Sequence, residues 1–172
     1  YPMIRPRGGG FVYDAYELEI MKKDVLMCRQ LGCQGIASGI QFPDGRIDTE
    51  QLKRIVDWAY PMEVTCHKVF DVTPDPFQSL EEVIAAGCAR VLTSGLCKTA
   101  IEGAGVLSQL VKLADGRITI MPGGGVRSSN ISQLKRETCA TEFHSSGLIA
   151  KAVNHIANEE EVRKMVDELT KS

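Results

Sequence analysis

The chain has 172 residues, of which 44% are hydrophobic and 24% are charged, and its formal net charge is -2. This length predicts one domain whose core is large enough to hold the fold without disulfides or a structural metal. The balanced charge and the lack of a basic run argue against a nucleic-acid surface or a membrane-binding patch, and no apolar run is long enough to span a bilayer.

The cysteines follow no disulfide framework and contain no CxxC pair. They are Cys28, Cys33, Cys66, Cys88, Cys97 and Cys139. The sequence therefore signals neither a zinc site nor a thiol redox motif, and a reducing cytoplasm is the expected compartment.

Strand-like segments alternate with amphipathic helical segments along the chain. The strands are predicted at residues 1–5, 35–39, 63–69, 90–94, 117–121 and 141–145. The helices are predicted to begin near Ala15, Thr49, Pro76, Glu102, Ser129 and Asn158. Gly87 is expected to cap the third helix at its carboxyl end and Asn158 to cap the last at its amino end, while His155 is expected at the surface or as a cap.

The strands recur roughly every 25–32 residues, which is the length of one βα unit and predicts a parallel sheet covered by helices. Two architectures fit this pattern. An open doubly wound sheet accounts for the number of units, whereas a closed (β/α)8 barrel needs eight strands and typically about 250 residues. The polar residues at the strand ends favour the second architecture, an α/β TIM-type barrel that is incomplete over residues 1–172 and forms one domain.

Ionisable residues are predicted to share one side of the sheet near the carboxyl ends of the strands. Because side chains alternate along a strand, residues two apart lie on the same face. The predicted set comprises Arg5, Arg7, His67, Asp71, Glu142 and His144. Unpaired buried charges are costly, so these groups are expected to form one mutually compensated pocket, with the arginines facing the acids or an anionic ligand. Its two histidines are candidates for proton exchange near neutral pH.

A glycine run follows the predicted strand at 117–121. The glycines allow close backbone approach and leave amides available to an anion, although the alternative is a tight turn that binds nothing. The hydroxyls at the end of the preceding strand either donate to the same ligand or only turn the chain. The predicted anion-binding residues are Arg5, Arg7, Lys68, Thr93, Ser94, Gly123, Gly124 and Gly125.

Five segments in this order, MIRPRGG, VTCHKVFD, RVLTSG, MPGGGV and TEFHSS, resemble the CutC family of copper homeostasis proteins. The resemblance extends to about Ser146. It implies a cytoplasmic (β/α)8 barrel that binds copper and often forms a homodimer. It also implies that this chain begins at the third strand, so that the first two βα units are not part of it.

Two departures from the family pattern affect this reading. The family usually has Phe-His-Arg where this chain has Cys66-His67-Lys68, and lysine lacks the forked geometry of arginine. The segment after Ser146 is also short. The cysteines that the resemblance implies as copper ligands lie on the early strands, so the metal ligands in this chain stay unassigned, although Cu(I) prefers sulfur donors.

The resemblance thus implies copper binding in copper homeostasis. The alternative from the residues themselves is an enzyme acting on a small anionic or phosphorylated metabolite. In that enzyme the predicted anion-binding residues hold the ligand, His67 acts as acid or base with Asp71 orienting it, and Glu142 pairs with His144. A third possibility is a scaffold without catalytic activity, whose polar interior only specifies the fold.

Overall fold

The computed structural model describes residues 1–148 and 156–170, so His155 lies outside the described residues. In chain order, the helices and strands are α1 (Ala15–Gln30), β1 (Gly35–Ser38), α2 (Thr49–Ala59), β2 (Glu63–Cys66), a 3-10 helix (Lys68–Val72), α3 (Pro76–Ala85), β3 (Arg90–Thr93), α4 (Ala104–Ala114), β4 (Thr119–Pro122), α5 (Ile131–Thr138) and α6 (Glu159–Thr170).

The four strands form one parallel sheet in the order β1-β2-β3-β4. Single parallel bridges extend both of its edges, from Met3 to Ala37 and from His144 to Gly123. Each helix contacts the next one along the chain, from α1 to α6. Sequential strand order with one helix layer is the arrangement of a (β/α) barrel, because a doubly wound sheet reverses its strand order and carries helices on both faces.

The outer predicted strands are shorter than expected. Residues 1–5 and 141–145 contribute only the single bridges at Met3 and His144. Pro2 and Pro6 lack an amide hydrogen, which limits the ladder that the first segment can form. The strand predicted at 63–69 ends at Cys66 and turns into the 3-10 helix, so strand alternation does not govern the residues after Cys66.

Helix ends follow local chemistry. Asp14 and Glu17 form a reciprocal capping box at the start of α1, which satisfies two amides that the helix leaves unpaired. The predicted cap at Asn158 is confirmed, because its Oδ1 accepts from the Glu161 amide at 2.9 Å. Gly87 follows the end of α3 with a φ of +87°, a left-handed conformation that favours glycine. The fourth and fifth helices begin two residues later than predicted.

The apolar core lies between the sheet and the helix layer. Alternate strand residues point into it, and they are Ile36, Val64, Cys66, Val91 and Ile120. The residues between them face the other side of the sheet and line a cavity there; they include Ala37, Thr65, Leu92 and Met121. This alternation separates a dry structural face from an inner face that is open to ligands. Within residues 1–148 and 156–170, the helices are all too short or too polar to traverse a bilayer.

Candidate functional site

Two cavities of about 410 Å³ each lie on the inner side of the sheet and share Met3, His67, Leu92 and His144. The first, here called the rim cavity, is formed where the strands end at their carboxyl termini, and it includes the loop at 123–125. The second, here called the inner cavity, lies along the strands themselves and includes Thr65 and Met121. The rim cavity occupies the position where parallel α/β folds place their ligands.

The rim cavity is lined by three basic side chains, those of Arg5, Lys68 and Arg127, and by no aspartate or glutamate among the described residues. The Arg127 guanidinium donates to the Val126 carbonyl at 2.6 Å and to the hydroxyls of Ser145 and Ser146, each at 3.2 Å. Neither arginine forms an ion pair with a carboxylate within the described part of the chain. The cavity is therefore positively charged and suited to an anion.

Within the described residues, Arg5 is held in place without a counterion. Its Nη2 donates to the Gly9 carbonyl at 2.6 Å, and its guanidinium lies 4.5 Å from the centre of the Phe11 ring. Its Nε is buried and has no hydrogen-bond partner in the part of the chain that the structure describes. A cation stacked on an aromatic ring with an unused donor has capacity left for a ligand.

His67 is 3% exposed and packs against Phe11, with 5.0 Å between the ring centroids. Its Nδ1 accepts a hydrogen bond from the Val69 amide at 3.3 Å, which caps the 3-10 helix. Its Nε2 is buried and meets no hydrogen-bond partner among residues 1–148 and 156–170. Burial, and secondarily the positive charge of Arg5, lowers the pKa of His67 from 6.5 to about 4, so the imidazole is neutral at pH 7.

Asp71 does not orient His67, which corrects the sequence-based expectation. Its carboxylate accepts from the Ser94 amide at 3.0 Å, from the Leu96 amide at 3.2 Å and from the Thr93 hydroxyl at 2.5 Å. Because the strand ends at Cys66, the 3-10 helix turns Asp71 toward the end of β3. The hydrogen bonds of Asp71 thus link the segment after β2 to the turn after β3.

Thr93 and Ser94 are fully buried and lie outside the lining of the rim cavity, contrary to their expected role as ligand donors. Both hydroxyls contact Asp71 instead. Lys68 remains at the cavity, with its Nζ 3.2 Å from Asp71 and 3.1 Å from the Ser94 hydroxyl. Its side chain is 47% exposed, so it can contact a ligand from the Asp71 side of the cavity.

Arg7 also lies away from the rim cavity. Its guanidinium forms an ion pair with Glu17 and donates to the Val12 carbonyl at 2.9 Å, so it closes the loop ahead of α1. The expectation that Arg5 or Arg7 would neutralise Asp71 or Glu142 is wrong, because Lys68 pairs with Asp71 and Arg90 with Glu142.

Glu142 lines the inner cavity but not the rim cavity. Its carboxylate accepts from Nε of Arg90 at 2.6 Å, and Arg90 also pairs with Glu63. The two carboxylates raise the pKa of the Arg90 guanidinium further above its already high value. The expected Glu142–His144 pair is therefore replaced by a charge cluster centred on Arg90, and His144 alone reaches the rim cavity.

The glycine loop at the rim is shaped by its backbone. Gly124 and Gly125 have φ values of +108° and +72°, which side chains other than glycine adopt only with strain. Their carbonyls accept from the Ala100 amide and the Asn130 side chain, both at 2.9 Å. A Cβ atom on Gly124 would lie 3.2 Å from Cβ of Ser94 and 3.5 Å from Nζ of Lys68. The loop is therefore held rigidly where its backbone borders the cavity.

Sequence reasoning missed several residues that shape the rim cavity or its neighbour. They are Phe11, Gly39, Arg90, Arg127 and Ser145. Arg127 was detectable, because it follows the glycine run by two residues and brings a positive charge to the same loop. Phe11 reaches His67 only through tertiary folding, so no local signal marks it.

Among 1–148 and 156–170, no three side chains of histidine, cysteine, aspartate or glutamate come together closely enough to hold a metal ion. Cys66 and Cys88 are buried, and burial raises the pKa of both thiols, that of Cys88 to about 12. Thiolates are the copper ligands, so these two cysteines are poor candidates in the folded chain.

The family comparisons agree with one another. The CutC family profile matches residues 1–149. A CutC family protein of Parabacteroides distasonis is 47% identical over 144 residues, which cover 84% of this chain and 59% of that protein. A CutC family protein of Chromobacterium violaceum is 45% identical over 157 residues, which cover 90% of this chain and 64% of that protein. The chain thus spans about three fifths of the length of these curated relatives.

The structural comparisons support the TIM-type fold. A crystal structure named as the copper homeostasis protein CutC of Streptococcus agalactiae is similar with a TM-score of 0.79 and 36% identity, over 83% of this chain and 70% of that one. A mandelate oxidase structure is similar in fold alone, with a TM-score of 0.62 and 12% identity over 97% of this chain and 58% of that one. On the family profile and these identities, the chain belongs to the CutC family.

Proposed function

We propose that the rim cavity binds a small anionic metabolite, and that this metabolite carries a phosphoryl group. The observation that carries the proposal is the lining of three cations, of which only Lys68 is paired with a carboxylate, that of Asp71, among the described residues. A cavity of about 410 Å³ is of the size that holds small-molecule ligands.

The phosphoryl group has a natural position between the glycine loop and Arg127. Arg127 and the hydroxyl of Ser146 form one pair of donors, 3.2 Å apart, whereas the Ser145 hydroxyl donates to the Val126 carbonyl at 2.7 Å. Guanidinium forks and hydroxyls are the donors that phosphate oxygens accept from in proteins. Lys68 adds a point charge beside Gly124. Arg5 and His67 border the remainder of the cavity, where the body of the metabolite would lie.

The test is isothermal titration calorimetry of the chain with inorganic phosphate, at low and at high ionic strength. We expect binding that weakens with salt and that Arg127→Gln reduces about tenfold, which corresponds to one lost charge-assisted hydrogen bond. Arg136→Gln is the matched control, because this substitution removes the same charge from an exposed residue at the end of α5. Equal weakening by the two variants, or no binding in the wild type, would contradict the proposal.

Copper binding is the second candidate function, and we infer it from the family name carried by the relatives and by the Streptococcus agalactiae structure. The same resemblance supports a homodimer and a cytoplasmic location. All six cysteines are free, which suits a reducing compartment. Among the described residues no three candidate ligands come together, although the thiols of Cys28 and Cys33 lie close enough to interact with each other.

Competition against a Cu(I) chelator tests this candidate. Binding by the wild-type chain that disappears when all six cysteines are replaced by serine would assign copper to the thiols. Binding that survives this replacement would assign copper to other donors. If the wild-type chain fails to compete, a copper function of these residues is excluded.

A further inference from the structure

The protonation of His67 is fixed by its contacts. A neutral imidazole has one N–H, and its other nitrogen accepts hydrogen bonds. Nδ1 of His67 accepts from the Val69 amide at 3.3 Å, so the proton of the neutral ring lies on Nε2. That Nε2–H group is buried at the cavity and has no partner among the described residues. His67 therefore presents an unused hydrogen-bond donor to a ligand, and no lone pair.

The surroundings of this donor restrict which oxygen it can bind. Phe11 packs against the ring, and Leu92 and Met3 line the same cavities. A ligand hydroxyl could accept from Nε2–H, but it would bring its own hydrogen, which also needs an acceptor. The rim cavity supplies no carboxylate among the described residues to take it. A carbonyl oxygen accepts without that requirement, so it fits the site better.

We propose that His67 donates its Nε2–H to a carbonyl oxygen of the ligand, so that the rim cavity selects phosphorylated aldehydes and ketones. The inference rests on the proposed phosphoryl site and adds a second recognition point in the same cavity. Burial and the positive charge of Arg5 hold the pKa of His67 at about 4, which keeps the ring a neutral donor at pH 7. A neutral imidazole in this role polarises the carbonyl instead of removing a proton from the ligand.

This assignment replaces the acid–base role that the sequence suggested for His67. A general base needs an available lone pair, and the only lone pair of this ring is engaged by Val69. The ionisable groups that line the rim cavity with His67 are Arg5, Lys68, Arg127 and His144, and those that line the inner cavity with it are Tyr1, Arg90, Glu142 and His144. Of these, the positive charge of Arg5 adds to burial in disfavouring a charged imidazole and lowering the pKa of His67. The structure thus gives His67 the function of an electrophile.

The first experiment compares dihydroxyacetone phosphate with glycerol 3-phosphate, which differ by one carbonyl in place of one hydroxyl. We expect the wild-type chain to bind the ketone about tenfold more tightly, the effect of one satisfied buried donor. His67→Asn keeps an acceptor for the Val69 amide but removes the Nε2 donor, so it should abolish the preference while inorganic phosphate still binds. His67→Gln keeps an amide donor near the Nε2 position and should retain part of the preference.

The outcomes separate the two proposals. If the wild-type chain binds neither inorganic phosphate nor dihydroxyacetone phosphate nor glycerol 3-phosphate, the phosphoryl site itself is overturned. Binding of inorganic phosphate without any preference for the ketone would overturn only the role of His67. A second measurement is independent of ligands: ¹⁵N–¹H correlations of the His67 ring at pH 7 should show the Nε2–H tautomer, and the Nδ1–H tautomer or the imidazolium form would contradict the inference.

Discussion

Gly39 lies against His67 so closely that a Cβ atom on Gly39 would sit 2.8 Å from Nδ1 of the imidazole and 2.5 Å from Cγ1 of Val69. These distances are shorter than van der Waals contacts allow. Gly39 follows the end of β1, and His67 follows the end of the neighbouring strand β2. The absence of a side chain on one strand end therefore creates the space for the imidazole on the next.

We expect Gly39→Ala to displace His67 and to destabilise the fold by about 1–3 kcal/mol, because the added methyl overpacks a buried site. The control is Gly105→Ala, since a Cβ atom on this exposed residue of α4 meets nothing within 4 Å. That variant should be slightly more stable, by about 0.4–1 kcal/mol. Urea unfolding of both variants measures the difference, and equal stabilities would show that the site at Gly39 can relax.

The low pKa of His67 makes stability depend on pH. The folded pKa is about 4 against 6.5 in the unfolded chain, so the unfolded state takes up the proton first as the pH falls. Stability is then fully present above pH 6.5 and is lost between pH 6.5 and pH 4, by roughly 3 kcal/mol from this group alone. The positive charge of Arg5, which lines the same cavity, adds to the effect of burial on this pKa.

Chemical denaturation at a series of pH values measures this contribution. His67→Asn keeps the cap on Val69 but does not titrate, so its stability curve should be flatter between pH 4 and pH 6.5. The slopes are compared instead of the absolute stabilities, since carboxylates contribute equally to both proteins. Parallel curves over this interval would mean that the imidazole titrates normally.

Asp71 is predicted to be the most sensitive carboxylate at the ends of the strands. Its side chain is 9% exposed and accepts hydrogen bonds from Thr93, Ser94 and Leu96 while it pairs with Lys68. Asp71→Asn places an amide among these donors and leaves the ammonium of Lys68 without its partner. We expect a loss of about 2–4 kcal/mol in the free energy of unfolding, measured by urea denaturation.

Asp57→Asn is the control for that variant. Asp57 pairs with Lys53 four residues away on α2, and both side chains are 60% exposed. Exposed pairs of this kind contribute little, so no measurable change is expected. A similar small change for Asp71→Asn would show that its hydrogen bonds are replaced by water.

Thiol labelling should follow burial. Cys139 is exposed and free, whereas Cys66 and Cys88 are buried and burial raises the pKa of both thiols. Because the thiolate is the reactive form, iodoacetamide should modify Cys139 first and leave Cys66 and Cys88 unmodified in the folded chain. Peptide mass spectrometry reads the order. Labelling in urea gives the fully reactive reference, and early modification of Cys66 would contradict the described packing.

The sequence alone determined the alternation of strands and helices, because hydrophobic periodicity and helix caps are local properties. It predicted the helix that begins at Ala15 and the cap at Asn158, and both lie where expected. Strand alternation also places Cys66 on the same face as Val64, and both lie in the apolar core. The family motifs, read in order, carried the resemblance to CutC and with it the TIM-type fold.

Partner choice among the ionisable groups was decided by the tertiary structure. The alternation of side chains ends after Cys66, where the strand is followed by a 3-10 helix. Because of this change in backbone, Asp71 binds the end of β3 and not His67. Likewise Glu142 forms an ion pair with Arg90, which lies 52 positions away in the sequence. Hydrogen bonds and ion pairs depend on distances of a few ångströms between segments that the sequence separates widely. Local pattern fixes which face a residue occupies, but only the folded chain determines which donor meets which acceptor there.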